Sequence, residues 1–415
     1  MKLTINNFAK ISHAEIEFDG LTVIAGNNNT GKSTAGKILY AIFRALSQLE
    51  RRVERDRIKT IVKAFNRIPG VLLSEEVAKR LLYKESVVAE VLPTDTDPFF
   101  WHSAEKTVED AQAIPFNSVA ANLIYRVFDC VFHHQYRPLQ PSDGDTRLVL
   151  RVKGQENTID FRRDGSIETH NPTRLVKIVR LIATPEVLSL VNVRDILSND
   201  SYAKVFDKYT LELAQELVKD SRLSAIEEIA AQKELESVIP LLNDFIAGVF
   251  RPDSENEYAL YESGHDHPTK AVNLSMGLKF FVLLRFMLER GVLSEQDVLI
   301  LDEPENHLHP ELQVVYAQVL VQLQKKFNLT ILVTSHSQFF VNALQRFCIS
   351  EDIVEKTHFY ISKEDVEQKG FCTFEDQGSV AADIFRSFNK AYDMISQRSG
   401  EAWSDDEVNA TVDSE

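Results

Sequence analysis

A glycine-rich loop that ends in lysine and serine is the strongest chemical signal in the sequence. Residues 26–33 read Gly-Asn-Asn-Asn-Thr-Gly-Lys-Ser, which fits the phosphate-binding pattern G-x-x-x-x-G-K-[ST] without a mismatch. The two glycines let the backbone curl so that several N–H groups point at one phosphate, and the following helix adds its positive dipole end. In such a loop the lysine binds the β- and γ-phosphates and the serine hydroxyl ligates Mg²⁺. We therefore predict an ATP site made by Gly26, Asn27, Asn28, Asn29, Thr30, Gly31, Lys32, Ser33 and Thr34.

Two carboxylates follow a short apolar run near residue 300. Residues 298–301 read Val-Leu-Ile-Leu, which is typical of a buried strand, and Asp302 and Glu303 come at its C-terminal end. Open α/β sheets bind ligands at that end of their strands. An Asp-Glu pair after apolar residues is common, but together with the phosphate loop it predicts two roles. Asp302 holds Mg²⁺ through water, and Glu303 is the general base that polarises the attacking water.

A serine, a glycine and a histidine complete the candidate set. Ser275 and Gly277 open a helix that is apolar nearly all round, and the free N–H groups at a helix start form an anion site. His336 follows a second apolar strand, near the place where the γ-phosphate would lie. Each residue alone has a plainer structural interpretation, as a helix cap or a packed histidine. Their position relative to the other two motifs makes them candidates for the ATP site.

The elements that must position these residues alternate between strand and helix. The sequence predicts two or three strands over 2–25 and a helix from Ser33, followed by a mostly helical region over 48–136 and an antiparallel meander over 148–169. Residues 195–250 read as helix again. The last third predicts a helix after Ser275, then strand 298–301, helix 310–327 and strand 329–334. Strand–helix–strand spacing of this kind implies parallel pairing and an α/β fold.

Composition limits the kind of protein. The 415 residues are 44% apolar and 26% charged, as in ordinary globular proteins. The sequence has no long apolar run for a membrane span and no signal-peptide layout at its start, and its three cysteines form no C-x-x-C pair. We therefore expect a cytoplasmic protein without a membrane partner and without a disulfide framework.

The charge balance argues against a general nucleic-acid binder. The net charge is −16, whereas phosphate backbones are bound by lysine and arginine. Residues 44–67 depart from this average, with eight basic and three acidic residues. A solvated helix face is the favoured interpretation of that run. The alternative is a local basic patch for DNA, RNA or an acidic partner, so nucleic acid stays an open partner.

The order of the motifs carries a family resemblance. The phosphate loop is followed by L-S-x-G at 274–277, L-D-E-P-E-x-x-L-H-P at 301–310 and T-S-H-S at 334–337. This order resembles the ABC-type ATPase heads of the SMC, RecF and OLD (overcoming lysogenization defect) families. The stretch 301–310 is most similar to the OLD-like branch, many of whose members serve bacterial defence against phage. The resemblance covers 1–45 and 255–345 well, and the middle only in its pattern.

The resemblance implies a fold and a shared active site. The fold would be an ABC-type P-loop ATPase head with a mixed sheet, an antiparallel β subdomain and a helical insertion. Ser275 and Gly277 would meet the γ-phosphate bound by the other subunit, Glu303 would be the catalytic base and His336 the γ-phosphate sensor. Two subunits would enclose two ATP molecules, with ATP and Mg²⁺ as the ligands, and would hydrolyse ATP to ADP and phosphate.

The resemblance also gives a division of the chain and marks departures. We expect residues 1–47 as the N-terminal part of the head, 48–140 as the helical insertion, 141–192 as its β-rich part, 193–254 as a helical lobe, 255–345 as the C-terminal part of the head, 346–396 as a C-terminal extension and 397–415 as a disordered acidic tail. The segment after His336 has no D-x-D, so we expect no Toprim nuclease domain. Prolines and strands interrupt residues 33–275, so we expect no SMC-type rod. The glutamine that links ATP to the helical lobe has no clear counterpart, and Thr184-Pro185-Glu186 receives no role.

Two functions are compatible with this sequence. The first is a stand-alone OLD-like ATPase that acts as a homodimer or higher homo-oligomer and controls a separately encoded effector, a nuclease in an anti-phage system such as Septu. The alternative is a RecF-like DNA repair or recombination ATPase that binds DNA itself. An ABC importer subunit fits less well, because its signature normally reads L-S-G-G-Q.

Overall fold

A computed structural model describes residues 1–138, 144–193, 205–219, 239–243, 246 and 248–379 of the chain. Their strands are β1 (Lys2–Phe8), β2 (Ile11–Glu17), β3 (Leu21–Gly26), β4 (Thr146–Val152), β5 (Gln155–Phe161), β6 (Ile167–His170), β7 (Val179–Ile182), β8 (Gly248–Pro252), β9 (Tyr258–Glu262), β10 (Thr269–Lys270), β11 (Val298–Asp302), β12 (Thr330–Ser335), β13 (Thr357–Glu364) and β14 (Cys372–Asp376). Their helices are α1 (Lys32–Leu46), α2 (Leu49–Phe65), α3 (Glu75–Leu82), α4 (Val88–Val91), α5 (Pro98–Ala113), α6 (Phe116–Phe132), α7 (Val187–Leu190), α8 (Lys208–Val218), α9 (Ile239–Asn243), α10 (Met276–Glu289), α11 (Pro310–Phe327) and α12 (Gln338–Ser350), with single 3₁₀ turns at Ala271–Asn273 and Val354–Lys356.

The chain divides into two compact units. The first comprises Met1–Ala9 and Lys37–Ile178, and the second comprises Lys10–Gly36 and the residues from Val179 onward. The acidic tail predicted over 397–415 and part of the helical lobe predicted over 193–254 lie outside the described residues.

The first unit contains an antiparallel sheet with the strand order β6-β5-β4-β1. The β4–β5 hairpin closes through Lys153 and Gly154, which both have positive φ, at 48° and 80°. Two successive positive φ values are the signature of the type I′ turn, whose twist matches that of the flanking strands. The meander predicted from the sequence is confirmed here.

Helices α2 to α6 supply the rest of the first unit. Apolar side chains between Ile58 and Ala111 form one buried cluster, so α2, α3 and α5 share a core. Four aromatic rings form a second core group against the sheet, namely Phe8, Phe128, Phe132 and Phe161. The helical region predicted over 48–136 is therefore confirmed as a set of packed helices.

The second unit contains a mixed sheet with the strand order β2-β14-β13-β3-β12-β11-β7. From β13 through β3, β12 and β11 to β7 each strand pairs parallel with the next, whereas β13 and β14 pair antiparallel. All six residues of β3 and of β12 are buried, which is typical of strands covered on both faces. The α/β mixed-sheet fold expected from the sequence is confirmed.

A large apolar core holds the helices of the second unit against this sheet. Helix α10 buries ten of its residues, including Phe280, Phe281 and Met287. Tyr316 of α11 lies in the same core, with its ring centroid 5.1 Å from that of Phe281. A separate antiparallel sheet, β10-β9-β8, precedes α10. Throughout the described ranges, no helix combines the length and the apolar character needed to cross a membrane.

Two segments of the sequence-based division need correction. The segment 346–396 is expected to be an extension of the head, but β13 pairs along six residues with β3, the strand that precedes the phosphate loop. The segment 193–254 is expected to be helical, but Gly248–Pro252 is a strand. Both errors have one physical cause, because strand pairing depends on partners that lie far away in the sequence. The other boundaries stay a prediction.

Candidate functional site

The phosphate loop (residues 26–33) joins β3 to α1, as the sequence predicts. Gly26 has a φ of 151° and Gly31 a φ of 86°, and both values are open mainly to glycine. A Cβ atom at Gly26 would lie 2.6 Å from the carbonyl oxygen of Ser362 in β13, and one at Gly31 would lie 2.9 Å from Cγ1 of Ile11. Neighbouring strands therefore enclose the loop so closely that only glycine fits at both positions.

Lys32 is buried, with 3% of its side chain exposed. Its Nζ donates to the carbonyl oxygen of Asn27 at 2.8 Å and lies 3.6 Å from Oε1 of Glu303. The Thr30 hydroxyl donates to the same carbonyl at 2.8 Å. The loop is thus folded around its own lysine, and its charge is compensated by one carbonyl and one carboxylate.

The register of the parallel strands aligns the remaining site residues at one edge of the sheet. Asp302, the last residue of β11, pairs with Thr334 in β12, and Ser335 pairs with Ala25 in β3. The segments that follow these strands carry Glu303, His336 and the phosphate loop. Since ligands bind at the carboxyl ends of parallel strands, this register brings together the predicted loop, acidic pair and histidine.

Thr334 holds both carboxylate residues. Its side chain is fully buried, and its hydroxyl donates to Oδ1 of Asp302 at 2.5 Å. The backbone N–H of Glu303 donates to both the hydroxyl and the carbonyl oxygen of Thr334, each at 3.1 Å. Glu303 has a φ of 48°, a conformation that is uncommon outside glycine and occurs often at functional sites. The Asn306 amide completes the arrangement by donating to Oε2 of Glu303 at 3.1 Å.

His336 lies beside the predicted base. Its Nδ1 is 3.5 Å from Oε2 of Glu303, and that nitrogen is buried without a hydrogen-bond partner among the described residues. The side chain as a whole is 39% exposed, so the ring reaches solvent by its other edge. The ring of His336 therefore lies between the predicted base and the solvent.

Ser275 and Gly277 lie at the start of α10, and each has a local structural role. The Ser275 hydroxyl accepts from the backbone N–H of Leu278 at 3.3 Å, which caps the helix. A Cβ at Gly277 would lie 3.0 Å from Cδ2 of Leu308, so the position is closely packed. Ser275 itself is exposed, and within the described part of the chain no hydrogen bond or ion pair joins it to the phosphate loop. One chain therefore gathers the loop, the acidic pair and the histidine, but does not tie the serine to them.

A buried lysine connects α10 to the segment that the sequence left without a role. Nζ of Lys279 is 3.0 Å from Oε1 of Glu186, 3.0 Å from the Ser189 hydroxyl and 3.3 Å from the carbonyl oxygen of Val272. Burial would raise the pKa of Glu186, but the hydrogen bonds from Ser189 and Lys279 outweigh it and lower that pKa. This network anchors the helix that begins after Ser275 to the segment after β7.

The oxygen ligands at the sheet edge fit a hard divalent cation. Ser33 offers a hydroxyl and Asp302 a carboxylate, and hard oxygen ligands are what Mg²⁺ prefers. The hydrogen bond from Thr334 fixes one oxygen of Asp302 and leaves the other. The residues present are therefore suited to hold Mg²⁺ beside a triphosphate.

Family models identify the class of protein that this site defines. A model described as "AAA ATPase domain" matches residues 1–91, which include the phosphate loop. A model described as "AAA domain, putative AbiEii toxin, Type IV TA system" matches residues 132–342, just over half of the chain. The protein is thus a P-loop ATPase of the AAA class. Within that class it belongs to the family of AAA domains named for the putative AbiEii toxin.

Three solved structures are similar to the chain over nearly its whole length. The SMC head domain from Thermotoga maritima is 13% identical, with 90% of this chain and 97% of that chain covered and a TM-score of 0.41. An SmcHead bound to the C-winged helix domain of ScpA is 12% identical, with 91% and 97% covered and a TM-score of 0.45. A Smc head domain with an extended coiled coil, bound to the C-terminal domain of ScpA derived from Pyrococcus furiosus, is 11% identical, with 95% and 98% covered and a TM-score of 0.42. No curated protein sequence matches the chain.

Sequence reasoning missed residues that shape the site without belonging to its motifs. Ser362 lies in β13, and its hydroxyl donates to the carbonyl oxygen of Thr30 at 2.5 Å, which ties β13 to the phosphate loop. The sequence offers no signal for this contact, because the two residues lie more than 300 positions apart. Thr334, in contrast, stands in the T-S-H-S motif. Its hydroxyl could have been proposed as a partner for the acidic pair once parallel pairing was assumed.

Proposed function

We propose that this chain binds ATP at the phosphate loop and hydrolyses it between two copies of itself, and that it thereby controls a separately encoded effector nuclease in anti-phage defence. The observation that carries the ATPase part is the convergence of Lys32, Asp302, Glu303 and His336 at one edge of the sheet. A lysine for phosphate, two carboxylates and a histidine are the groups that phosphoryl transfer to water requires.

Each side chain has a definite part in this proposal. The phosphate loop and Lys32 bind the triphosphate, and Mg²⁺ held by Ser33 and Asp302 would neutralise its negative charge. Glu303 accepts the proton of the attacking water, and its two carboxylate oxygens lie 3.6 Å from Nζ of Lys32 and 3.5 Å from Nδ1 of His336. His336 meets the γ-phosphate from the solvent side.

The exposed helix start at Ser275 supports a shared site. Its N–H groups could bind a phosphate, but among the described residues of one chain Ser275 bonds only to its own helix. A second copy of the chain would supply this helix start to the γ-phosphate held by Lys32. Ser275→Arg should then leave ATP binding to one subunit intact and stop hydrolysis, because the longer side chain occupies the space of the γ-phosphate.

Mixing two inactive variants tests the shared site directly. In a heterodimer of Lys32→Ala and Ser275→Arg, one composite site carries both changes and the other carries none, so mixing should restore part of the ATPase rate. Ser74→Arg is a matched control, because Ser74 is also an exposed helix cap. Its hydroxyl accepts from the backbone N–H of Val77 at 3.3 Å, the same distance as in the cap formed by Ser275. A Ser275→Arg protein with the ATPase rate of the Ser74→Arg control would refute the shared site.

The link to defence is supported by the wording of the family description. The family model that matches this chain is named for a putative toxin of a toxin–antitoxin system, and such a system has two components. The test is the plating efficiency of phage on cells that carry this gene with its neighbouring genes. Protection should disappear with Lys32→Ala and with deletion of a neighbouring nuclease gene. Full protection by either altered strain would contradict the proposed control of a nuclease.

A RecF-like function with direct DNA binding is the second candidate, and one surface favours it. The exposed side chains of Arg51, Arg55, Lys59 and Lys63 recur every fourth residue along α2, which places them about 6 Å apart in one row. Of the three acidic residues in the same helix, Glu54 also pairs with Lys79 and Asp56 with Arg126, and the third is Glu50. The row gathers four basic side chains on a chain whose net charge is −16.

Salt dependence distinguishes this candidate from non-specific attraction. If the row binds the DNA backbone, each alanine substitution in it should reduce the slope of log affinity against log salt by about one. Lys369→Ala is the control, because Lys369 is exposed in a loop of the second unit. Equal slopes for Lys59→Ala, Lys369→Ala and the wild type would exclude the row as the DNA site.

A further inference from the structure

A third carboxylate, Glu305, is buried beside the residues already described. Only 2% of Glu305 is exposed. Three donors converge on its Oε1 atom: the Ser335 hydroxyl at 2.6 Å, the backbone N–H of His336 at 3.0 Å and the backbone N–H of Ser337 at 3.3 Å. Burying a carboxylate is costly unless its hydrogen bonds compensate it, so this concentration of donors requires an explanation.

The three donors belong to the short segment between β12 and α12. Ser335 ends the strand, and Ser337 caps the helix by accepting from the N–H of Phe340 at 3.3 Å. The start of a helix carries positive potential, which favours a carboxylate at this place. Burial nevertheless dominates and raises the pKa of Glu305, against the lowering effect of the Ser335 hydroxyl and the backbone donors. Glu305 thus fixes the main chain on both sides of His336.

The ring of His336 depends on that main chain for its position. Its Nδ1 lies 3.5 Å from Oε2 of Glu303 and 3.8 Å from Oε1 of Glu305, distances too long for a hydrogen bond. Nδ1 of His336 and Oε2 of Glu305 are both buried, and neither has a hydrogen-bond partner within the described ranges. With no bond of its own at this nitrogen, the ring is directed toward Glu303 by the backbone that carries it.

We infer that Glu305 is a positioning residue for His336: one carboxylate oxygen holds the backbone of residues 335–337, so that the imidazole stays beside Glu303. This inference rests on the proposed function, because it assigns His336 and Glu303 to ATP hydrolysis. Glu305 is the third carboxylate of the acidic motif that contains Asp302 and Glu303. It acts on the segment that carries His336, after the neighbouring strand, rather than on the nucleotide. Glu305 is not a catalytic residue in this scheme.

Amide hydrogen exchange tests the positioning without any need for catalysis. In Glu305→Ala the amide of His336 should exchange about 10- to 100-fold faster than in the wild type, because it loses its hydrogen bond to the carboxyl oxygen. The amide of Ser337 keeps the Ser335 hydroxyl as an acceptor at 3.1 Å and should accelerate less. Glu305→Asp keeps the charge but withdraws it by one methylene, and should also accelerate exchange. Glu305→Gln keeps an acceptor oxygen in place and should restore slow exchange. Unchanged exchange in both Glu305→Ala and Glu305→Asp would overturn the inference.

A double-mutant cycle then tests whether Glu305 acts through His336. Glu305→Ala and Glu305→Asp should lower kcat with little change in KM for ATP. In a His336→Ala background the same substitutions should lower kcat by less than about twofold, since residues that act as one unit are not additive. Glu311→Gln, at a side chain that is 90% exposed, is the control and should keep the wild-type rate. Equal losses in the two backgrounds would show a merely structural role for Glu305.

The two experiments separate the two proposals. A wild-type chain without ATPase activity would refute the proposed hydrolysis, while amide exchange would still decide whether Glu305 holds residues 335–337. An active wild type whose Glu305→Ala and Glu305→Asp variants both keep slow exchange and full kcat would refute the role of Glu305 alone.

Discussion

Replacing Thr334 by valine removes one hydroxyl from the site and leaves its shape nearly unchanged. That hydroxyl donates to Oδ1 of Asp302 at 2.5 Å, within the range of a hydrogen bond to a charged oxygen. The N–H of Glu303 loses one of its two acceptors but keeps the carbonyl oxygen of Thr334 at 3.1 Å. Because the backbone donor stays satisfied, the substitution acts mainly on the carboxylate of Asp302.

The size of the effect follows from the charge of the acceptor. A hydrogen bond to a charged group is worth about 1.5–3 kcal/mol, which corresponds to about a 10- to 100-fold change in an equilibrium constant. Loss of a partner that orients a metal ligand typically costs about the same factor in metal affinity. Asp302 is only half-buried, so water can solvate the oxygen that Thr334 releases. We therefore expect Mg²⁺ dependence to change more than the stability of the fold.

The assay is the Mg²⁺ concentration at which the ATPase rate is half-maximal, measured with ATP in excess over its KM. In Thr334→Val this concentration should rise about 10- to 100-fold, and the rate at saturating Mg²⁺ should recover. Thr22→Val is the matched control, since Thr22 is equally buried in the neighbouring strand and donates to the neutral carbonyl of Glu17 at 2.8 Å. A half-maximal concentration within about twofold of the control would refute the reasoning.

Three further outcomes are expected. Gly26→Ala should abolish binding of a fluorescent ATP analogue, because the Cβ would collide with β13 at 2.6 Å, whereas Gly154→Ala, with no atom within 4 Å of its Cβ, should bind normally. Lys279→Met should lower the free energy of unfolding in urea by about 1.5–3 kcal/mol, since it leaves Glu186 and Ser189 without their shared donor, and an unchanged midpoint would contradict this. Cys348 should resist iodoacetamide at pH 8 and react faster as the pH rises toward 11. Burial raises the pKa of its thiol to about 11, so only about a thousandth of the thiol is ionised at pH 8. Rapid labelling of the folded protein at pH 8 would show instead that the thiol is accessible.

The sequence was sufficient for every part of the site that local rules determine. The phosphate loop, the strand before Asp302 and the helix from Pro310 to Phe327 follow from periodicity and from glycine chemistry, and the structure has them where they are predicted. Parallel pairing then follows from the strand–helix–strand order. These steps bring Lys32, Glu303 and His336 to one edge of a sheet before any coordinates are known.

Contacts between distant segments were beyond the reach of the sequence. Ser362 binds the phosphate loop only because β13 lies beside β3 in the sheet. The apolar periodicity of a strand does not predict which other strand it will pair with. Glu305 reads as one more surface acid in a polar motif, yet it is among the most buried charged groups described. Exposed helix starts such as the one at Ser275 are a third case. A serine that only caps its own helix and a serine that also binds a phosphate held by a second subunit have the same sequence pattern.

The position of Lys32 connects nucleotide binding to the predicted base, Glu303, because the carboxylate and a bound triphosphate would contact the same ammonium group. Before ATP binds, the only compensation for this buried charge among the described residues is the carbonyl of Asn27 and the carboxylate of Glu303, at 2.8 and 3.6 Å. A triphosphate in the loop competes for the same ammonium group, since its β- and γ-oxygens are stronger acceptors than a single carbonyl. In the proposed mechanism, Lys32 leaves the carboxylate of Glu303 when it turns to the phosphates, and that carboxylate can then face the attacking water. One lysine therefore contacts the predicted base in the empty site and the triphosphate in the proposed bound state.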